Sequence, residues 1–385
     1  MSRHAGAGPG MTRPLPPRDR RGFEIAIICA LPLEANAVIS LFDKDWEDER
    51  KPYDSAPEDA NAYTTGVIGM HNVVVAHMPS MGTVSAAGVA ASLRASFDNV
   101  KLALVVGICG GVPYGPQHNE EIFLGDVIIS QSLIQYDLGR QYPDVFERKN
   151  TLEDSLGRPP LEIRSILAKL TTDYHRGRMQ DSANHFLREL QRKLRRATYP
   201  GLEADQLFEP SYPHKHHGLT ICATCDEDEA QICPDALHMS CTDLGCQGHR
   251  TIPRQRRVQH QSFMETAGSE TLLSIHIGRM GSGDTVMKSG NHRDEIAKRD
   301  GIIAFEMEAA GVWEYFPSIV IKGVCDYADS HKNKQWQPYA AAAAAASTKA
   351  FLKGWSPRVG SIEQGWSLVL VNTFGLSNFP LRTLD

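Results

Sequence analysis

Four carboxylates stand where an apolar run breaks off. Glu306 and Glu308 flank Met307 in IIAFEMEAAG, Asp326 follows IVIKGVC, and Glu34 follows FEIAIICALPL. A charge at the end of a buried strand is costly to desolvate unless a partner or ligand takes it up. An ionised carboxylate is acceptor-only and takes two hydroxyl donors at once. A carboxylic acid can protonate a poor leaving group, and a carboxylate can deprotonate a water. The pattern therefore marks strand ends where a ligand could sit. Each residue also has a plainer reading: Glu308 as an acid at a helix N-terminus, Asp326 as an N-cap, Glu34 as an exposed first-turn acid.

A second group of side chains lies apart from these. Cys222-x2-Cys225, Cys233, Cys241, Cys246 and His249 have ligand-like spacing for a structural zinc. Cys222, Cys225, Cys241 and Cys246 form the candidate set, with His214, His216 and His217 as further donors and thiols in a flexible loop as the alternative. Such a metal staples a lobe away from catalysis; no metal or cofactor is expected in the active site itself. The basic run Arg254–Arg257 reads as a solvated loop.

Elements must hold these residues. FEIAIICA from Phe23 reads as a strand, with Pro32 opening a helix over LEANAVISLF. Tyr63–Ile68 and Val73–His77 alternate like a hairpin around Gly69–Asn72. Gly82–Phe97 reads as a small-residue helix, and Leu102–Val106 as a buried strand leading into a loop at Gly107–Gly111. Further strands are expected at Asp126–Gln131, Ser274–Gly278 and Ile319–Val324. The alanine run from Ala340 is a strong helix former. Strands alternating with helices predict an α/β sandwich whose ligands collect at the carboxyl ends of the strands, in the loops Ala30–Glu34, Gly107–Gly111, Gly281–Asp284 and Cys325–Asp329.

Residues 1–21 are Gly/Pro/Arg-rich and read as disordered. A catalytic domain is expected over 22–353, with an insertion at about 143–271 that carries the amphipathic stretches Leu161–Thr172 and Ser182–Arg195. An extension at 354–385 has no clear periodicity before WSLVLVNTF. Hydrophobic content of 42%, charged content of 22% and a net charge of −6 are those of a globular protein with no electrostatic call for nucleic acid or a membrane surface. No apolar run approaches ~20 residues, and no secretory signal is visible, so a cytoplasmic or nuclear location is expected, with the eight cysteines as thiols or ligands.

Taken together, FEMEAAG and CDYADSHKNKQWQPYAAA resemble the nucleoside phosphorylase/nucleosidase superfamily, which includes purine nucleoside phosphorylases, uridine phosphorylase and methylthioadenosine nucleosidase. The likeness is greatest to a fungal branch found N-terminal in NACHT- or repeat-containing receptors, and covers Phe23–Gln141 and Ser274–Leu352. It implies a three-layer α/β/α sandwich around a distorted mixed sheet. It also implies that Glu308 takes the ribose 2′- and 3′-hydroxyls, that Met307 packs on the sugar and that Asp326 protonates purine N7. Glu306 either shares that site or anchors the loop, and Asp329 supports Asp326. Gly110, Gly111, Val286 and Met287 are implied to frame the substrate. The phosphorylase pattern has an arginine where Glu34 stands, and an arginine and a serine where Val105 and Ile108 stand. Methylthioadenosine nucleosidase has a glutamate at the position of Glu34 that activates water. The resemblance therefore implies a purine nucleosidase, with phosphate-dependent phosphorolysis as the runner-up and a nucleoside-sensing module as the third reading. Arg140, with Arg279 and Lys288, is a candidate for a 5′-phosphate, which keeps nucleotides such as AMP or ATP open; a structural ion pair is the alternative. A homo-oligomer, a dimer first, is expected.

Overall fold

The computed structural model describes residues 14–48, 53–115, 120–217, 222–227, 232–255 and 273–356. Among them the strands are β1 (Ile25–Cys29), β2 (Lys44–Asp45), β3 (Ala62–Ile68), β4 (His71–His77), β5 (Leu102–Gly111), β6 (Val127–Gln135), β7 (Gly139–Gln141), β8 (Phe146–Arg148), β9 (Ile275–Ser282), β10 (Ile302–Glu306) and β11 (Ser318–Asp326). The α-helices are α1 (Pro32–Ile39), α2 (Thr83–Ser96), α3 (Leu161–Leu170), α4 (Asp173–Lys193), α5 (Ala223–Glu227), α6 (Cys241–Leu244), α7 (Gly290–Asp300), α8 (Ala309–Trp313) and α9 (Gln337–Gly354).

Nine strands form one mixed sheet in the order β10-β9-β6-β11-β5-β1-β4-β3-β2. β5 pairs in parallel with both β1 and β11, whereas β11 runs antiparallel to β6. β10 also pairs with β5, through Ala304 to Gly111 and Phe305 to Gly110. The five strands β10, β9, β6, β11 and β5 thus close on themselves, which is the distortion of the sheet. β7 and β8 form a separate hairpin.

The strands at the centre are mostly apolar because helices cover them. α9 packs on β11 and β5, and α1 and α4 pack on α9; α2 packs on α8. Ala340–Ala346 is buried along its length, so the alanine run is a helix–sheet contact surface. Its small side chains let the helix approach until a Cβ on Gly323 would lie 2.0 Å from the Ala340 carbonyl oxygen. α4 comes from the stretch read as an insertion, yet its Met179, Ala183, Leu187 and Leu190 are buried and it joins the helical layer.

Three expectations change. Gly107–Gly111 is not a loop but the end of β5, because Gly107, Ile108 and Cys109 pair with β11 and Gly110 and Gly111 with β10. Residues 1–13 and the WSLVLVNTF segment lie outside the described residues, but Pro17 is packed and its carbonyl accepts the Tyr53 hydroxyl at 2.8 Å. Arg254 is not solvated: it is buried, donates to the carbonyls of Pro113 and Ile122 and to Tyr327 Oη, and meets Glu121 at 3.2 Å. Among the described residues, no helix is long and apolar enough to cross a membrane.

Candidate active site

A cavity of about 200 Å³ opens at the carboxyl ends of β1, β5, β10 and β11. Its wall includes Glu34, Gly110, Val286, Met287, Glu306, Met307, Glu308 and Asp326, so most of the residues singled out in the sequence converge. That volume lies below the ~300–1,000 Å³ of drug-sized sites and suits a small ligand.

Glu34 sits in the first turn of α1 and is 2% exposed, which rules out the solvated first-turn reading. Its Oε2 accepts from the amides of Ala30 and Leu31 at 2.9 and 2.8 Å, and its Oε1 from Ile108 at 2.8 Å. Burial pushes this carboxyl up, with Lys322 pulling the other way. The glycine at 107 makes room for it: a Cβ there would stand 2.1 Å from Oε1. Gly107 is thus a steric requirement of Glu34 rather than a ligand contact.

Glu306 and Glu308 meet a third charged group, Lys322, which lies in the middle of the otherwise apolar β11. The fully buried Lys322 Nζ is 2.7 Å from Glu308 Oε2 and 3.8 Å from Glu306 Oε2. Lys322 is held charged against its own burial chiefly by Glu308, Glu34 and Glu306. Glu306 Oε2 accepts from the Glu308 amide and both its oxygens from the Ala309 amide, so it caps α8 and anchors the loop. Burial, partly offset by Lys322, pushes its carboxyl up to about 7. Glu308 occupies the N-cap position of α8 but makes no capping bond with its side chain, which is turned to Lys322.

Asp326 ends β11. Its Oδ1 accepts from the Ala328 amide at 2.8 Å and lies 3.0 Å from Lys332 Nζ, and its Oδ2 is 3.2 Å from Cys325 Sγ. No helix starts there, so the N-cap reading fails. The turn instead takes Ala328 through a left-handed φ of 53°, a conformation alanine adopts only when its surroundings impose it. Asp329 accepts from the His331 amide at 2.9 Å and lies 3.9 Å from Arg293.

The opposite wall is the loop after β9. Asp284 accepts from Thr83 N and Oγ1, both at 2.7 Å, and Tyr136 Oη donates to the Thr285 carbonyl at 2.6 Å. These bonds place Val286, half exposed, at the rim and Met287 in a buried cluster with Tyr136, Phe305 and Ala328.

Four candidates fall away from the cavity. Gly111 faces Val324, 2.7 Å from where its Cβ would be, so it is a packing glycine. Arg140 is exposed on β7 and does not line the cavity; Arg279 is engaged by the Asp300 carbonyl, and Lys288 is exposed. The cation that does line it is Lys332. Sequence reasoning missed Lys322 and Lys332. The signal for Lys322 was a lone lysine inside SIVIKGVCD, a pattern that only a buried countercharge allows.

The four-cysteine zinc set is corrected as well. Cys222 and Cys225 group with Cys233 and His216, whereas Cys246 groups with His214 and His331. Cys241 Sγ is 3.7 Å from His214 Nδ1. The spacing could not separate the two because one histidine arrives from β11's far side of the sequence.

The family model described as Phosphorylase superfamily matches residues 24–353. A nucleotide-binding leucine-rich repeat (NLR)-like protein of Hyaloscypha variabilis is 32% identical over 345 residues, covering 87% of this chain and 30% of that protein; the chain spans less than a third of that relative's length. Among solved structures, the chain is similar to a 5′-methylthioadenosine/S-adenosylhomocysteine nucleosidase of Helicobacter pylori (TM-score 0.47, 14% identity, covering 86% of this chain and 99% of the other). It is also similar to a futalosine hydrolase mutant of Helicobacter pylori (TM-score 0.48, 14% identity, 86% and 100% covered).

Proposed function

The chain belongs to the phosphorylase superfamily, and from that premise we propose that its cavity hydrolyses the N-glycosidic bond of purine ribonucleosides. The observation that carries this reading is the seating of Glu34. The amides of Ala30, Leu31 and Ile108 are the kind of converging N–H groups that hold a phosphate. Here an internal carboxylate already occupies all three. A phosphate dianion brought to Glu34, Glu306 and Glu308 would meet several carboxylates and one lysine, a poorly compensated burial.

Water suits that position. A water beside Glu34 attacks C1′ while Glu34 takes its proton; burial brings the carboxyl closer to working pH, where a base is more effective. The C1′–N9 pair leaves with the base, and Asp326 returns a proton at N7. Glu308, fixed by Lys322, accepts from the ribose 2′- and 3′-hydroxyls, and Met307 covers the sugar. The free base and ribose are the products. Arg140, Arg279 and Lys288 do not line the cavity, which favours a nucleoside over a 5′-nucleotide.

Chromatography of adenosine, inosine, guanosine, AMP and ATP incubations, each with and without phosphate, tests this. Free ribose in phosphate-free buffer is expected. Ribose 1-phosphate formed only with phosphate would establish phosphorolysis instead, and no turnover of any substrate would leave a sensing module.

A further inference from the structure

The described residues of 213–217, 222–227 and 232–250 form a lobe with little apolar core. Its described helices α5 and α6 have five and four residues, and its buried cluster is Cys225, Cys233, Ala236 and Leu244. A unit this small needs a staple beyond hydrophobic burial. No disulfide supplies it, yet thiols and imidazoles crowd together at two points.

At the first point, His216 Nδ1 lies 3.7 Å from Cys225 Sγ and 3.6 Å from Cys233 Sγ, with Cys222 completing a set whose ligand atoms lie within 4.8 Å of one another. At the second, His214 Nδ1 lies 3.7 Å from Cys241 Sγ and 3.6 Å from Cys246 Sγ, and His331 joins His214 and Cys246 within 4.8 Å. Zn–S bonds of about 2.3 Å and Zn–N bonds of about 2.05 Å at a tetrahedral angle put sulfur and nitrogen about 3.6 Å apart. An imidazole nitrogen has one lone pair or one proton, which accounts for one thiol and not two.

The other contacts of the two histidines agree. His214 Nε2 is 3.0 Å from the Met239 carbonyl, so it carries the proton there and leaves the Nδ1 lone pair facing the sulfurs. His331 is 7% exposed, and its Nε2 is buried with no hydrogen-bond partner among the described residues. Its ring is held by stacking on Phe208 at 4.1 Å. A buried imidazole nitrogen without a partner is costly unless an ion takes its lone pair.

We infer that the lobe binds two zinc ions, one through His216, Cys222, Cys225 and Cys233, and a second through His214, Cys241, Cys246 and His331. Thiolate and imidazole sets of four are closed structural sites, which zinc prefers. The second ion has a further consequence. His331 follows Asp326 by five positions and adjoins Lys332, which pairs with Asp326 and lines the cavity. The ion therefore ties the lobe to the loop that carries the cavity's acid, and His331 is a positioning residue.

Elemental analysis of the full chain, purified without chelator, should give two zinc per chain; one or none, or iron in its place, overturns the proposal. His331→Ala should lower the content to one and raise amide exchange across 326–334 by about tenfold, as expected when a local tether is lost. Two zinc retained in that variant removes His331 from the ligand set; unchanged exchange removes the tether. Cobalt exchange into the wild type supplies a measurement free of any variant: thiolate-to-cobalt charge transfer should saturate at two equivalents, and saturation at one eliminates the second site. None of these readouts needs turnover, so an inactive protein with two zinc overturns the nucleosidase reading alone.

Discussion

In the cavity, Glu34, Glu306 and Glu308 surround Lys322 at the ends of strands that belong to a large apolar sheet; in the lobe, five cysteines and His214 and His216 gather where almost no core exists. Glu34 and Glu306 are oriented by backbone amides just after β1, in β5 and in α8, and Glu308 by Lys322 of β11, so their geometry is inherited from the sheet. The thiols and imidazoles crowd together on short turns with little core around them, so on the two-zinc proposal their geometry comes from what they bind. The difference separates two ways of burying polar groups: a large fold can impose the arrangement in advance, and a small one needs its ligand to do so. His331 is where the two regions meet.

The comparison can be broken most sharply at the acid. Asp326→Asn should lower kcat by about 10²–10⁴-fold with an unchanged melting curve, since proton donation is lost while the sheet stands. Near wild-type turnover in the folded variant removes Asp326 from the role. Lys322→Met tests whether the sheet alone holds the carboxylates together. Removing the cation leaves three acids unneutralised, and denaturant unfolding should show a loss of about 3–5 kcal/mol. A loss below about 1 kcal/mol would mean that Glu306 and Glu308 need no countercharge.

Glu306 supplies a pH test of the same kind. Its folded value of about 7 stands above the ordinary 4.5, so its contribution is full below pH 4.5 and is lost as pH rises to about 7. The wild type should therefore lose up to roughly 3 kcal/mol relative to Glu306→Gln across that window. Parallel stability curves for the two proteins would refute it. The smallest effect concerns the diol: 2′-deoxynucleosides should lose about 1–3 kcal/mol in kcat/KM, a gap that Glu308→Gln narrows. If both substrates slow equally and the gap persists, Glu308 does not read the 2′-hydroxyl.

Local pattern carried much of the fold. Period-2 and apolar runs located β1, β3, β4, β5, β6, β9, β10 and β11, and the breaks in those runs located Glu34, Glu306, Glu308 and Asp326. The boundaries moved where pairing partners extended a strand, as at Gly107–Gly111, because a glycine run looks like a turn until a neighbouring strand takes up its amides. Arg254 was misread because a charge run looks solvated; its carbonyl partners at Pro113 and Ile122 lie more than a hundred positions away.

What the sequence determined alone was which residue types interrupt each buried element, since burial periodicity is a local property and a charge inside it needs a partner. Tertiary structure decided who the partners are. Ile108 meets Glu34 across 74 positions, and Lys322 meets Glu308 only because β11 lies beside β5, which in turn pairs with β10. The same topology turned Arg140 outward and drew His331 to Cys246, 85 positions earlier. Spacing along the chain cannot encode such contacts, because chain closure brings together residues whose separation carries no period.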